Sequence, residues 1–152
     1  MNIKVIRTHL SLFVSDPEYS AKWYADVLGM VEHARGAQWI MMSFGEKHHD
    51  IALIKAPEGA QQGGLGLQHY GIEIDGTFET LQRLHGMLLD KGVQIVKTTD
   101  HAVGNGLYFN DPDGNRLEFF LETVHDNQQA IDLFRETCAP SNPIEIPPIF
   151  EK

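Results

Sequence analysis

The stretch YFNDPDGNRLEFFLE, residues 108–122, carries the signals that decide how this chain folds. Its centre, Asp-Pro-Asp-Gly at 111–114, is a turn sequence, because proline restricts one backbone angle and glycine accepts a positive φ. Beyond the turn, apolar residues occupy every second position, which is the period of a half-buried strand. One face is predicted to carry Leu117, Phe119 and Leu121, and the other Arg116, Glu118 and Phe120. The stretch therefore predicts two strands joined by a tight turn, with Glu118 on the more polar face.

The chain repeats one order of elements twice. In the first half, the strand THLSLFV (8–14) precedes a helix from Asp16-Pro17 to Gly29 and strands near 30–34, 38–44 and 50–56. In the second half, the strand QHYGIEI (68–74) precedes a helix from about Thr77 to Gly92 and strands near 93–98, 105–110 and 115–122. The repeat predicts an α+β fold of two paired βαβββ modules that form a curved mixed sheet.

The module boundaries follow from composition. A length of 152 residues fits a single domain, 1–152. Module one covers 1–56, a linker rich in glycine covers 57–66, module two covers 67–122, and a helix with an extended tail covers 123–152. The proline-rich tail is expected to lie over the domain or over a partner subunit. Its predicted apolar contacts are Ile144, Ile146, Ile149 and Phe150.

Charge and cysteine content exclude several classes of function. Twelve basic residues against 21 acidic ones give a net charge of −9, which repels nucleic acid and anionic membranes. The only cysteine, Cys138, allows no disulfide within the chain and is typical of a reducing compartment. No leader segment and no apolar run of about 18 residues is found. We therefore expect a cytoplasmic protein with no membrane and no nucleic-acid partner.

Two histidines occupy equivalent positions in the repeat. His9 lies on the first strand of module one and His69 on the first strand of module two, each opposite the apolar stripe. Together with Glu118 they supply two imidazoles and one carboxylate, the set that holds an open-sided divalent metal, most characteristically Fe(II). Three unrelated polar residues on a solvated face are the alternative. The repeat favours a metal site on the concave face of the sheet.

The paired modules, the two histidines and YFNDPDGNRLEFF (108–120) resemble the vicinal oxygen chelate superfamily over essentially the whole chain. The resemblance implies that His9, His69 and Glu118 are metal ligands. Glyoxalases, fosfomycin-modifying transferases, ring-cleaving dioxygenases and binding proteins share these motifs. Single-pair members commonly associate, so the resemblance and the apolar tail together predict a homodimer.

Finer motifs separate these activities. Glyoxalase-type members supply a glutamate ligand where this chain has Ala52. Fosfomycin-type transferases share the tyrosine that matches Tyr108, but they hold a monovalent cation with polar and acidic residues where this chain has AVGNG (102–106). KHHDIAL (47–53) resembles instead the extradiol ring-cleaving dioxygenases, in which the histidine that matches His49 is an acid–base catalyst; entry of His48 into the site is the alternative. The same resemblance implies that Tyr108 and, more loosely, His101 contact the substrate.

The resemblance therefore predicts an Fe(II)-dependent extradiol-type dioxygenase that cleaves a catechol-like vicinal diol with O2. In this reading His49 transfers protons and Tyr108 orients a ring oxygen. One alternative is a metal-dependent transferase, lyase or isomerase, which would use Mn, Ni or Zn to polarise an oxygen. The other is a small-molecule binding or resistance protein that retains only the pocket. That pocket would be lined by Phe13, Trp39 and Phe120.

Overall fold

A computed structural model of the chain describes residues 4–63 and 65–151. The predicted order of elements is confirmed, and the fold is α+β with two βαβββ units. The first unit contains β1 (Leu10–Val14), α1 (Pro17–Leu28), β2 (Val31–Gly36), β3 (Trp39–Ser43) and β4 (Ile51–Lys55). The second contains β5 (Tyr70–Glu73), α2 (Phe78–Asp90), β6 (Ile95–Asp100), β7 (Gly104–Asn110), β8 (Arg116–Glu122), α3 (Asn127–Thr137) and β9 (Asn142–Pro143). Across the described ranges, every helix is too short or too polar to cross a membrane.

Contacts divide the chain into two compact units, unit one (Met1–Gln62) and unit two (Gly63–Lys152). The division falls within the glycine-rich stretch 57–66 that was expected to link the modules. The description of the whole chain as one domain stays a prediction, and each unit is described by itself.

Unit one is a four-stranded mixed sheet against which α1 packs. The strands lie in the order β1-β4-β3-β2, and β1 runs parallel to β4. The helix begins where Asp16 accepts hydrogen bonds from the backbone N–H groups of Glu18 and Tyr19, and it ends where Gly29 adopts a left-handed φ of 67°. The alternation predicted for β1 is confirmed, because Leu12 and Val14 are buried whereas Phe13 is exposed.

Unit two is a five-stranded mixed sheet in the order β5-β8-β7-β6-β9. The predicted turn between β7 and β8 is present, and the Asp111 carboxylate accepts from the backbone N–H groups of Asp113 and Asn115. β8 is the second strand from one edge, paired with both β5 and β7. Its predicted apolar side chains are buried, namely Leu117, Phe119 and Leu121. Glu118 points to the other face and is buried as well.

The tail lies in part on unit two, one of the two surfaces expected from the sequence. β9 pairs with the edge of β6 at Thr99 and Asp100. Further along, Ile146 is 3% exposed and its carbonyl accepts a hydrogen bond from the ring of His85. Ile146 is thus covered by the chain itself, whereas Phe150 stays exposed, and the homodimer stays a prediction.

Candidate functional site

Glu118 is the centre of a polar cluster in unit two. Its side chain is 8% exposed, and the register of the sheet sets it opposite Gly71 on β5 and Tyr108 on β7. One carboxylate oxygen lies 3.1 Å from Nε2 of His69, and the other lies 3.6 Å from Nε2 of His101. Four of the residues singled out in the sequence are thus close together: His69, His101, Tyr108 and Glu118.

His101 and Tyr108 are joined by a hydrogen bond beside this carboxylate. Nε2 of His101 lies 3.0 Å from the Tyr108 hydroxyl and 2.8 Å from the hydroxyl of Thr99. On the other side of the ring, Nδ1 lies 2.8 Å from the carbonyl oxygen of Pro140. Sequence reasoning missed Thr99 and Pro140, because a threonine in a strand and a proline in a tail carry no signal of a role in a site.

The Tyr108 hydroxyl is held in its neutral form. Burial raises the pKa of Tyr108 to about 12, and the hydrogen bond to Glu118 and the charge of that carboxylate act in the same direction. Thr99 and Arg116 lower the pKa, but by less. At neutral pH the phenol therefore keeps its proton and can donate it in a hydrogen bond.

A glycine makes room for the carboxylate. A Cβ added at Gly106 on β7 would lie 2.3 Å from Oε1 of Glu118 and 3.0 Å from the hydroxyl of Thr99. Any other residue at this position would displace the carboxylate or the ring of Tyr108, since such contacts are too short for non-bonded atoms. The space beside Glu118 therefore depends on the absence of a side chain at 106.

In unit one, the ring of His49 lies against that of His9. Their centroids are 4.7 Å apart with edge-to-face geometry. His48 is more exposed: its Nδ1 lies 2.6 Å from Nδ1 of His49, and its Nε2 lies 3.5 Å from the Arg7 guanidinium. Of the two adjacent histidines, His49 is thus the one in ring contact with His9.

The surroundings of His49 favour an uncharged imidazole. Partial burial lowers the pKa of His49, and electrostatic interactions with His48, His9 and Arg7 lower it further, whereas Asp50 raises it. A neutral histidine carries one N–H donor and one acceptor nitrogen. At neutral pH this ring can therefore accept a proton.

The loop that carries these histidines is irregular, which explains the orientation of His49. β4 begins at Ile51, so His49 and Asp50 precede the strand and its alternation does not apply to them. Asp50 turns back to accept hydrogen bonds from the backbone N–H of Phe44 at 2.8 Å and from the Ser43 hydroxyl at 3.2 Å. Arg7 pairs with the same side chain at 3.3 Å. Arg7 and Ser43 were not recognised from the sequence.

The expected metal ligands are distributed over the two units, with His9 in unit one and His69 and Glu118 in unit two. Within residues 4–63 and 65–151, no three histidine, cysteine, aspartate or glutamate side chains are grouped so that they could hold a metal ion. The full ligand set stays a prediction. Ala52, the position of the glutamate of glyoxalase-type enzymes, is buried on β4.

Residues 7–119 match the Glyoxalase/Bleomycin resistance protein/Dioxygenase superfamily, and the chain belongs to it. Biphenyl-2,3-diol 1,2-dioxygenase 2 of Rhodococcus globerulus is 28% identical over 141 residues, covering 91% of this chain and 74% of that protein. Glutathione transferase FosA of Serratia marcescens is 29% identical over 125 residues, covering 76% of this chain and 80% of that protein. The crystal structure of the fosfomycin resistance protein FosX of Listeria monocytogenes has a TM-score of 0.64 at 15% identity, covering 80% of this chain and 97% of that one.

Proposed function

We propose that this protein is an Fe(II)-dependent extradiol-type dioxygenase that cleaves the ring of a catechol-like vicinal diol with O2. The observation that carries the proposal is the cluster in unit two, where the buried Glu118 contacts His69 while His101 and Tyr108 stand beside it. A potential ligand pair is thus adjacent to two groups that can hydrogen-bond a substrate. Similarity to a protein named for dioxygenation of biphenyl-2,3-diol supports the same reaction class.

Two donor atoms in unit two are of the kind that a divalent metal prefers. Nε2 of His69 lies 3.1 Å from one carboxylate oxygen of Glu118, and the lack of a side chain at Gly106 leaves room for the other oxygen. His9 is proposed as the third ligand because it holds the equivalent position in the repeat. When bound, Fe(II) supplies open positions for the diol oxygens and for O2, which brings both reactants together.

The chain's own residues position the substrate and its protons. Tyr108 keeps its phenolic proton and can donate it to a ring oxygen of the diol. Nε2 of His101, 3.0 Å from that hydroxyl, limits the directions in which the phenol can point. His49 is uncharged at neutral pH and can take a proton from the substrate and return it to the leaving oxygen.

The test is anaerobic purification, metal analysis and recording of oxygen uptake with a panel of catechols that includes biphenyl-2,3-diol. We expect about one iron per chain and consumption of oxygen in proportion to the diol consumed. Glu118→Gln should lose the metal and the activity, whereas Glu122→Gln, an exposed position on the same strand, should keep both. A protein that binds iron and every catechol yet consumes no oxygen would contradict the proposal.

A second candidate is a metal-dependent transferase. The observation that favours it is the 29% identity to a glutathione transferase. In that case Mn, Ni or Zn would replace iron, and incubation with glutathione and an epoxide antibiotic would form a thioether. A small-molecule binding or resistance protein, the third possibility raised by the sequence, would bind the ligand without turnover.

A further inference from the structure

A carbonyl from the C-terminal tail fixes the ring of His101. The oxygen of Pro140 lies 2.8 Å from Nδ1, although 39 residues separate the two in sequence. A carbonyl oxygen can only accept a hydrogen bond, so Nδ1 must carry the hydrogen. In the neutral ring, Nε2 then has no hydrogen and presents a lone pair.

That lone pair points into the polar cluster of unit two. Nε2 lies 2.8 Å from the Thr99 hydroxyl, 3.0 Å from the Tyr108 hydroxyl and 3.6 Å from a carboxylate oxygen of Glu118. The Thr99 hydroxyl can donate to it, and so can the Tyr108 hydroxyl when its single proton is not given to Glu118; the carboxylate can only accept. The opposite tautomer would direct a lone pair at the carbonyl of Pro140 and lose that hydrogen bond.

The backbone on both sides of this contact is well anchored. The N–H of His101 donates to the carbonyl of Gly104, and Ala102 takes a positive φ of 69° in the bend between them. On the tail side, Cys138 and Ala139 both have positive φ, 57° and 47°, and turn the chain from α3 to Pro140. The Thr98 hydroxyl then donates to the carbonyl of Ile144 at 2.5 Å.

We propose that the tail is a positioning segment of the site: the Pro140 carbonyl holds His101 as the Nδ1–H tautomer, so that Nε2 is the hydrogen-bond acceptor facing Tyr108 and Glu118. The catalytic meaning of this arrangement rests on the function proposed above. The tautomer itself is a property of the protein without substrate. Free imidazole side chains are not held in this form, so the tautomer reports on the contact directly.

The test is ring ¹⁵N NMR of the full-length protein with labelled histidine, recorded before any substrate is added. The signals of His101 are assigned from their loss in His101→Gln. We expect a pyrrole-type nitrogen at Nδ1 and a pyridine-type nitrogen at Nε2. The reverse pattern, with the hydrogen on Nε2, would overturn the inference.

A pair of matched variants tests whether the tail causes the tautomer. Thr98→Val removes the hydroxyl that holds Ile144, and we expect amide exchange of the tail to rise about fivefold, the effect of one lost hydrogen bond, together with a new population of the Nε2–H form. Gln128→Ala removes a side-chain hydrogen bond near the start of α3, far along the chain from Pro140, and should change neither. A loosened tail with an unchanged tautomer would show that Pro140 is not the cause.

Deletion of residues 140–152 is the more direct variant, and if it folds, the Nε2–H form should predominate. If it does not fold, the ¹⁵N spectrum of the full-length protein still shows which tautomer His101 adopts. If NMR finds the Nδ1–H form of His101 but the protein consumes no oxygen, the inference about the tail holds and the proposed function is wrong. If NMR finds the Nε2–H form and the protein is an active dioxygenase, the proposed function holds and the inference about the tail is wrong.

Discussion

At the scale of single residues, Glu118 shows how a carboxylate can be buried in a sheet. Removing a charged group from water is costly unless hydrogen bonds replace the lost solvation. His69 and Tyr108 supply partners on the protein side. The same partners fix the position of Glu118, the proposed metal ligand. The groups that stabilise the buried carboxylate therefore also shape the candidate site.

Gly106 offers a test of that arrangement. Gly106→Ala would bring a methyl group to about the position of Oε1 of Glu118, so metal affinity should fall by roughly tenfold or more, as when a residue that orients a ligand is lost. Glu122→Gln, at an exposed position on the same strand as Glu118, is the control. Isothermal titration calorimetry with the metal measures the affinity of both variants. Equal affinities would mean that the carboxylate does not need this space.

Substitution of the two adjacent histidines, His48 and His49, distinguishes an effect on binding from an effect on catalysis. His49→Phe should still bind iron and catechol, yet ring cleavage should fall by roughly 10²–10⁴-fold, the range for loss of a positioned acid–base group. His48→Phe should have a much smaller effect, because its ring is exposed. Turnover, iron content and anaerobic catechol binding are measured on both. Loss of iron from His49→Phe would instead make His49 a ligand.

The sequence predicts some side-chain positions and not others, for a physical reason. Alternation in a regular strand predicted the faces of Leu12 and Glu118, because each pleat reverses the side chain. His48 and His49 lie in an irregular loop, where no period applies, so the ring in contact with His9 could not be inferred. Thr99 and Pro140 reach His101 through tertiary contacts that leave no local pattern.

At the scale of elements, the loop 44–50 is the part of unit one that Asp50 stabilises. Burial acts to raise the pKa of Asp50, but hydrogen bonds from the Phe44 N–H, Ser43 and Arg7 outweigh it, and the pKa is lowered. A lowered pKa means that the folded protein favours the carboxylate. Its contribution to the free energy of unfolding is complete above the unfolded pKa of about 3.9 and is lost as pH falls through the folded value.

Asp50→Asn should therefore reduce the free energy of unfolding at pH 7 by roughly 1–3 kcal/mol, the cost of removing a charged hydrogen-bond acceptor. The difference from wild type should shrink when unfolding is repeated near pH 3. Urea denaturation at both pH values measures it. Asp75→Asn, at an exposed position, should change stability little, and a deficit in Asp50→Asn that is constant with pH would contradict the argument.

Elements with local signals were predictable, and the tail was not. Asp16-Pro17 and Gly29 are a helix start and stop that act through their own neighbours, and the helix has those ends. The stretch after Cys138 has many prolines and no period, so its surface is chosen by contacts such as that between Ile149 and Gln82. Nothing in the local sequence specifies those contacts.

At the scale of the whole molecule, a homodimer is still expected. Besides the tail, α3 offers an apolar surface, because it has no buried side chain and Ile131 and Phe134 are exposed on it. Apolar groups on an amphipathic helix favour association. Light scattering at micromolar concentration should give a dimer, and Phe134→Glu should shift it toward monomer, while Gln129→Glu on another face of the helix should not. A monomeric wild type would contradict the prediction.

The two residues of β9 also reduce the tendency of the protein to aggregate through the edge of its sheet. β6 would otherwise be the outer strand of its sheet, with unpaired N–H and C=O groups able to recruit a strand from another molecule. Asn142 and Pro143 cover the end of that edge, at Thr99 and Asp100, and proline has no N–H with which to continue the ladder outward. Loss of the tail by proteolysis would uncover a ready template for intermolecular β-pairing, so nicked protein should precipitate while intact protein stays in solution.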